Sequence, residues 1–300
     1  MRWSIDMKKY LLLLLLCNSS DLLAERFDAT LSLMMDISSS QEKEKAFLYF
    51  YKNTYKPFLA VKKSEKLNKE ELKDIVYVFE TISYYTHSTQ IVEQYLIYFN
   101  ILQSKHWSEK SDYTSMYGTL VQRRMFTEAK VFYTKYAQFG LSNLPQILKD
   151  NQINEGVTFY TSHNEKKNTL IEKKYIFPKG KSIIIIAHPL CHFCQRAVAE
   201  IAKNKRLSQI LAKRSFGIVP VDRNFNSELL YNWNKKHPNF QLNYIQNSND
   251  FPMLDFWGTP TFYFLDNNKV IDKLVGWPKE GRIQELKVLI QKHFKLQIEK

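Results

Sequence analysis

Cysteine is scarce in this 300-residue chain, which carries three, so a small scaffold stapled by several disulfides is excluded. Glycine is scarce as well, with eight residues, and this excludes collagen-like, glycine-linker and phosphate-loop-rich architectures. Acidic side chains are outnumbered, 30 against 43 lysines and arginines, for a formal net charge of +13. The excess is lysine scattered among Asn, Ile, Tyr and Phe, not a compact arginine-rich stripe. It reads as a solvated basic surface and not as a nucleic-acid interface. Apolar material is not lacking. A hydrophobic content of 44%, with 14% aromatic, excludes global disorder, and the length fits one large domain or two ordinary ones.

Long hydrophobic runs are also missing, except at the start. Arg2, Lys8 and Lys9 precede the leucine-rich run Tyr10–Cys17, a polar stretch and then Leu22-Leu23-Ala24. A basic segment, a short apolar segment and a small residue at the cut predict a secretory signal peptide over 1–24, with Met1 or Met7 as the start. The run is too short for a mature membrane anchor, which needs about 20 apolar residues. Lipid attachment at Cys17 is the competing reading, opposed by bulky Leu16, and a buried N-terminal helix is another. The expected location is periplasmic or secreted, with membrane association as a variant. Cleavage after Ala24 would leave Cys191 and Cys194 alone, and in an oxidising compartment they are a reactive dithiol or a strained local disulfide.

Two kinds of pattern follow one another along the chain. Residues 25–145 read as successive helices. Phe47, Phe50, Tyr51, Tyr55 and Phe58 form one apolar stripe, with Pro57 expected to end or kink it. Asn68 and Glu71 form a capping box before Leu72, Ile75, Val76 and Phe79. Ile91, Tyr95, Tyr98 and Leu102 make a third stripe, and Tyr113, Met116, Tyr117, Leu120 and Val121 a fourth. The fifth runs from Thr127 as N-cap to Gly140. The last two, joined at Arg123-Arg124-Met125-Phe126, resemble a tetratricopeptide hairpin through small Gly118, Phe126 and small Ala129.

A connection over 146–156 leads to a segment, 157–300, that alternates strands and helices. Val157–Thr161 and Leu170–Phe177 are strand-like. Ser182–Ala187 is β-branched and apolar on both faces, as in a central strand. A helix is expected from Cys191 to Lys203, a strand at Phe216–Val221, and a helix around Leu229, Leu230 and Trp233. Two strands then join across Asn267-Asn268, and Ile283, Leu286, Ile290 and Phe294 line a last helix. His237, Tyr244 and Phe251–Trp257 are expected to form an inserted helix and loop.

The chemistry lies in Cys191-His192-Phe193-Cys194, at the junction of a buried strand and a helix. Cys191 at a helix N-terminus meets unpaired backbone N–H groups and the positive end of the dipole, which favour its thiolate. That populates the attacking species and stabilises the reduced form. Protonated His192 would add to both effects, and Cys194, one turn further in, is the expected resolving thiol.

Together with Gly258-Thr259-Pro260-Thr261 and Val275-Gly276-Trp277-Pro278, this order resembles the thioredoxin superfamily, in particular periplasmic disulfide isomerases and reductases of the DsbC/DsbG and TlpA kinds. The resemblance covers 157–300. It implies a thioredoxin-like α/β domain behind an α-helical one, and an exported thiol:disulfide oxidoreductase leaning to reduction or isomerisation. It implies Cys191 and Cys194 as the catalytic pair, with His192, Phe193 and His188 supporting. Pro260 would be the cis proline, with Thr259 and Trp257 contacting substrate. It also implies protein thiol or disulfide substrates, a redox partner that resets the pair, and no cofactor or metal; the helical half is expected to select substrate or to hold a membrane or envelope protein. This chain departs from the family at Ile185, where many relatives keep a buried acid that serves the resolving thiol, leaving His188 or water for that task.

Two rival functions remain. Metal handling would use His188, Cys191, His192 and Cys194, but no second Cys/His pair stands at zinc-like spacing. Covalent haem attachment would need histidine where Gln195 stands. A non-enzymatic adaptor would use the helical half to bind a partner, with the second half only folding.

Overall fold

The computed structural model describes residues 20–61, 66–150 and 155–296. The signal-peptide expectation and Cys17 therefore lie outside the described residues, except from Ser20 onward. The protein is mixed α/β and divides into two compact units, Met1–Thr119 and Leu120–Lys300. That division falls inside a helix, before the 146–156 connection expected from sequence.

The first unit is helical, with α1 (Ser20–Met35), α2 (Ser40–Phe50), α3 (Lys56–Val61), α4 (Lys69–Tyr85), α5 (Thr89–Ser104) and most of α6 (Lys110–Gln122). Between α2 and α3 the backbone widens into a π-helical turn, Tyr51–Tyr55, so Pro57 sits just past a loosened turn instead of ending the run. The capping box holds α4 as expected: Asn68 Oδ1 accepts the Glu71 N–H at 2.9 Å, and Glu71 Oε2 accepts the Asn68 N–H at 3.1 Å. Aromatic edges build the core, with Phe27 against Phe50 and Tyr55 at 5.7 and 5.5 Å. The buried Tyr55 hydroxyl donates to the Ile75 carbonyl at 3.1 Å, so its polar end is satisfied.

The second unit begins with the end of α6 and α7 (Phe126–Tyr136), capped by Met125 and not by Thr127. The fifth predicted helix thus starts two residues earlier than its sequence signal, and it belongs with the sheet. Eight strands follow: β1 (Gln146–Lys149), β2 (Val157–Ser162), β3 (Thr169–Tyr175), β4 (Lys181–Ile186), β5 (Ser215–Val219), β6 (Leu242–Ile245), β7 (Thr261–Asp266) and β8 (Lys269–Val275). They form one mixed sheet in the order β1-β3-β2-β6-β5-β4-β7-β8. Strand β4 runs parallel to β5 and antiparallel to β7.

Two strands and one helix, Lys205–Arg214, were not expected from sequence. Residues 146–149, read as connection, add a strand parallel to β3, and Leu242–Ile245, read as part of an inserted helix and loop, is the strand between β5 and β2. The helices of this unit are α8 (His192–Lys203), α9 (Lys205–Arg214), α10 (Ser227–Lys236) and α11 (Ile283–Phe294). Ile183–Ile186 of β4 are all buried. Ile184 and Ile186 join Ile218, Ile245, Phe251, Leu254, Tyr263 and Leu265 in one cluster, while alternation sends Ile183 and Ile185 to the other face. The Asn267-Asn268 turn takes positive φ at both residues (47° and 65°), the geometry that two-residue hairpins require.

Candidate active site

The β4 ladder continues one residue beyond the strand, where the Ala187 N–H bonds to the Ile218 carbonyl at 3.0 Å. His188-Pro189-Leu190 then turn the chain, and the Cys191 N–H closes the turn on the His188 carbonyl at 3.0 Å. Cys191 is the N-cap of α8, with extended backbone (φ −77°, ψ 113°), and its carbonyl accepts the first helical bond from Gln195 N–H at 3.0 Å. Both cysteines are free thiols. Cys191 is half-buried and Cys194 is 1% exposed, so one sulfur is reachable and the other sits against the core.

The cis Thr259–Pro260 peptide stands opposite this turn. The Cys191 thiol donates to the Thr259 carbonyl at 3.6 Å. The loop is fixed from both sides. Gly276 N–H donates to Pro260 O at 2.7 Å, and the Thr261 hydroxyl to Gly258 O at 2.7 Å. Upstream, the Tyr263 hydroxyl bonds to Asp255 Oδ1 at 2.8 Å and to the Phe256 carbonyl at 2.9 Å.

The Val275–Pro278 segment is tied to the helix that carries the cysteines. Buried Trp277 donates its indole N–H to Glu200 at 3.1 Å, and Arg196 donates to the Trp277 carbonyl at 3.5 Å. A side chain at Gly281 would strike the Glu200 carboxylate, its Cβ falling 2.4 Å from an oxygen.

The two thiols are driven apart in acidity. Burial pushes the Cys191 pKa up, but hydrogen bonds from Thr259, from Cys194 and from the Phe193 main chain outweigh it and hold the thiol below its ordinary value. Burial dominates at Cys194. Even with the His188 main chain and Thr259 favouring its thiolate, and with the Cys191 charge opposing it, the thiol is pushed up to about 12. A site in which one sulfur ionises readily while its neighbour keeps its proton has a defined attacking atom.

The other predicted residues fall as follows. His192 is exposed, its ring 4.0 Å from that of Phe193. Phe193 is 40% exposed and Leu190 62%, with the Arg196 guanidinium 4.9 Å above the Phe193 ring. Leu190 and Phe193 thus present exposed apolar surface within two residues of Cys191. Trp257 packs against the core cluster, edge-on to Phe251 at 6.4 Å. Ile185 is buried in β4. His188 lies close to Asp222, with Nε2 to Oδ2 at 3.3 Å.

Asp222, Glu200 and Tyr263 were not singled out from sequence. Asp222 had a usable signal, since it follows β5, and loops after neighbouring parallel strands meet at the same edge of a sheet. Among the described residues no group of three or more His, Cys, Asp or Glu side chains is gathered for a metal ion. Among them also, no helix is long and apolar enough to cross a membrane. Scans against protein-family models, curated proteins and solved structures return no match to this chain.

Proposed function

We propose that the protein is an exported thiol:disulfide oxidoreductase whose second unit is thioredoxin-like and acts on protein disulfides through Cys191 and Cys194. The observation that carries this reading is the asymmetry of the pair. Cys191 is reachable, lowered in pKa and 3.6 Å from the Thr259 carbonyl, while Cys194 is buried and holds its proton up to about 12. The strand order β5-β4-β7-β8, with the dithiol at the exit of β4 and the cis Thr259–Pro260 bond at the entry to β7, supports the same reading.

The mechanism follows from the two acidities. The Cys191 thiolate attacks one sulfur of a substrate disulfide, expelling the other as a thiolate and forming a mixed disulfide. Cys194 then loses its proton and attacks the Cys191 sulfur, releasing the substrate's second thiolate and closing the Cys191–Cys194 disulfide. Substrate is reduced by two electrons and the dithiol oxidised by two. In isomerisation the released thiolate attacks a different substrate disulfide, the substrate thiolate freed there attacks the substrate sulfur of the mixed disulfide, and Cys191 leaves as a thiolate, so the protein returns to its dithiol without net redox change.

Stabilising the Cys191 thiolate stabilises the reduced protein, so the resting dithiol is the form ready to attack. This favours isomerisation, which consumes no reductant per cycle, over repeated net reduction. Apolar Leu190 and Phe193 beside the sulfur suit cysteines in unfolded, hydrophobic stretches of client chains. A redox partner would reset the pair, and the helical unit would hold a client or an envelope protein.

The test is equilibration of the purified protein with glutathione mixtures, together with trapping by Cys194→Ser. A reversible two-electron transition of the pair, and mixed disulfides on Cys191 in the trapping variant, are the expected results. A protein whose Cys191 forms no mixed disulfide with any reduced or oxidised peptide would end this reading and leave the adaptor role.

A further inference from the structure

We propose that Asp222, in the loop after β5, is a positioning residue for the resolving step, acting through His188 to hold a main-chain donor at the Cys194 sulfur. The inference rests on the oxidoreductase reading and adds a residue to its second half-reaction.

The main chain of His188 touches both cysteines. Its carbonyl takes the Cys191 N–H at 3.0 Å, and its N–H faces the Cys194 sulfur, where it favours the thiolate. This donor matters because Cys194 is 1% exposed and burial is the largest influence on its acidity. Cys194 must become an anion at the moment of resolution, in a site where burial opposes charge. A fixed donor then lowers the barrier, and a donor that wanders does not.

The side chain of His188 is what fixes it. Nδ1 accepts the Leu190 N–H at 3.1 Å, so in the neutral ring the proton is on Nε2. Nε2 is buried, makes no aligned hydrogen bond, and lies 3.3 Å from Asp222 Oδ2. The contact is electrostatic and only partly exposed to water, with the His188 side chain 14% and the Asp222 side chain 23% accessible. Asp222 is held in turn. Its Oδ1 accepts the Asn224 N–H at 2.7 Å. Beyond it, Phe225 packs on Tyr244 at 5.0 Å and beneath the buried Arg124 guanidinium at 4.4 Å. The carboxylate is thus anchored to the sheet, the imidazole to the carboxylate, and the 188–191 turn to the imidazole.

The two half-reactions can be read separately with a dithiobis(nitrobenzoate) disulfide as the probe. Cys191 thiolate displaces one nitrothiobenzoate anion and keeps the other in mixed disulfide. Cys194 then attacks the Cys191 sulfur, releasing the second anion and its own proton. Each release is coloured, so attack and resolution appear as two phases.

In Asp222→Asn the second phase is expected to slow about tenfold, because the main-chain donor at the Cys194 thiolate is no longer held in place, while the first phase stays within about twofold. His188→Asn is expected to do the same, and Asp222→Glu to restore part of the rate. Two equal phases relative to wild type, or a matching slowdown of both phases in both variants, would overturn the assignment, since general loosening does not discriminate between steps. A wild-type protein that never releases the second anion would instead remove the oxidoreductase reading itself.

Discussion

The Cys191 sulfur lies 3.6 Å from the carbonyl oxygen of Thr259, a residue 68 positions further along the chain. The thiol can donate to that carbonyl and the thiolate cannot. When Cys191 ionises, the partner on the same residue changes, because the Thr259 hydroxyl lowers the pKa of Cys191 and favours the Cys194 thiolate as well. One threonine therefore serves both protonation states of the Cys191 sulfur, and its hydroxyl makes the largest of the hydrogen-bond contributions that bias the balance towards the thiolate.

Thr259→Val keeps the β-branched shape and removes that hydroxyl. A hydrogen bond to a charged group contributes about 1.5–3 kcal/mol, so the Cys191 pKa should rise by about one unit or more. The thiolate fraction at neutral pH then falls about tenfold, and iodoacetamide modifies Cys191 correspondingly more slowly. Losing thiolate stabilisation weakens the reduced form, so the pair should also become less oxidising, by about 30 mV per 1.4 kcal/mol. An unchanged midpoint in the rate-against-pH curve would show that the hydroxyl plays no part.

The opposed shifts of the two thiols predict opposite effects of pH on the reduced protein. Cys191 is lowered, so its contribution to stability is present above the unfolded thiol value and is lost as pH falls through its folded value. Cys194 is raised to about 12, so its contribution is present below the unfolded thiol value and drains away as pH rises toward that limit. By about pH 10.5 the Cys194 share of the loss should reach roughly 2 kcal/mol. Urea unfolding of reduced wild type and reduced Cys194→Ala, at neutral and alkaline pH, isolates it. The variant should lose less stability on alkalinisation. Equal losses would mean that the buried sulfur does not hold its proton.

Much of this arrangement was readable from residue order. The run Ser182–Ile186 has no polar face, which fits the middle of a sheet, and Cys191 sits on the helix terminus that its position after that run implies. The capping box at Asn68 and the turn at Asn267-Asn268 announce themselves because their geometry depends on a few local side chains. Elements that depend on distant partners did not. Gln146–Lys149 is mostly exposed and becomes a strand only by pairing with β3. Leu242–Ile245 is short, lies among asparagines and glutamines, and owes its extended form to neighbours on both sides. The contact between His188 and Asp222 joins two loops that the sequence does not connect.

Asn234 shows how such a strand is held. Its Nδ2 donates to the Leu242 carbonyl at 3.0 Å and to Ser162 Oγ at 3.0 Å, and its Oδ1 accepts the Leu242 N–H at 2.8 Å. The β2–β6 pairing covers Phe159 and Tyr160, so the amide of Asn234 supplies the bonds that a longer β2 ladder would have made to Leu242. Asn234→Ala strands both polar groups of a fully buried residue. The cost should be about 2–3 kcal/mol, seen as a lower urea midpoint with an unchanged slope. A variant as stable as wild type would mean that water replaces the amide.

Gly217 supports the site from the neighbouring strand, pairing with Ile185 on one side and Leu242 on the other. No unusual torsion is required there. The constraint is space, because a Cβ would lie 2.2 Å from the Gln241 carbonyl oxygen and 2.9 Å from a Leu242 methyl. Backbone oxygen cannot swing aside as a side-chain end can, so Gly217→Ala has to push β5 and β6 apart. The Gly217 carbonyl also accepts the buried Asn243 amide at 3.0 Å, and that bond lengthens with the same displacement. Overpacking of this kind costs about 1–3 kcal/mol, and the strained amide adds to it. Thermal unfolding should therefore move down by several degrees. The bonds that set the Cys191 thiolate come from Thr259, Cys194 and Phe193, none of them on β5 or β6, so the alkylation midpoint of Cys191 should stay where it is. A shifted midpoint at unchanged stability would reverse this assignment, making Gly217 part of the chemistry and not of the scaffold beneath it.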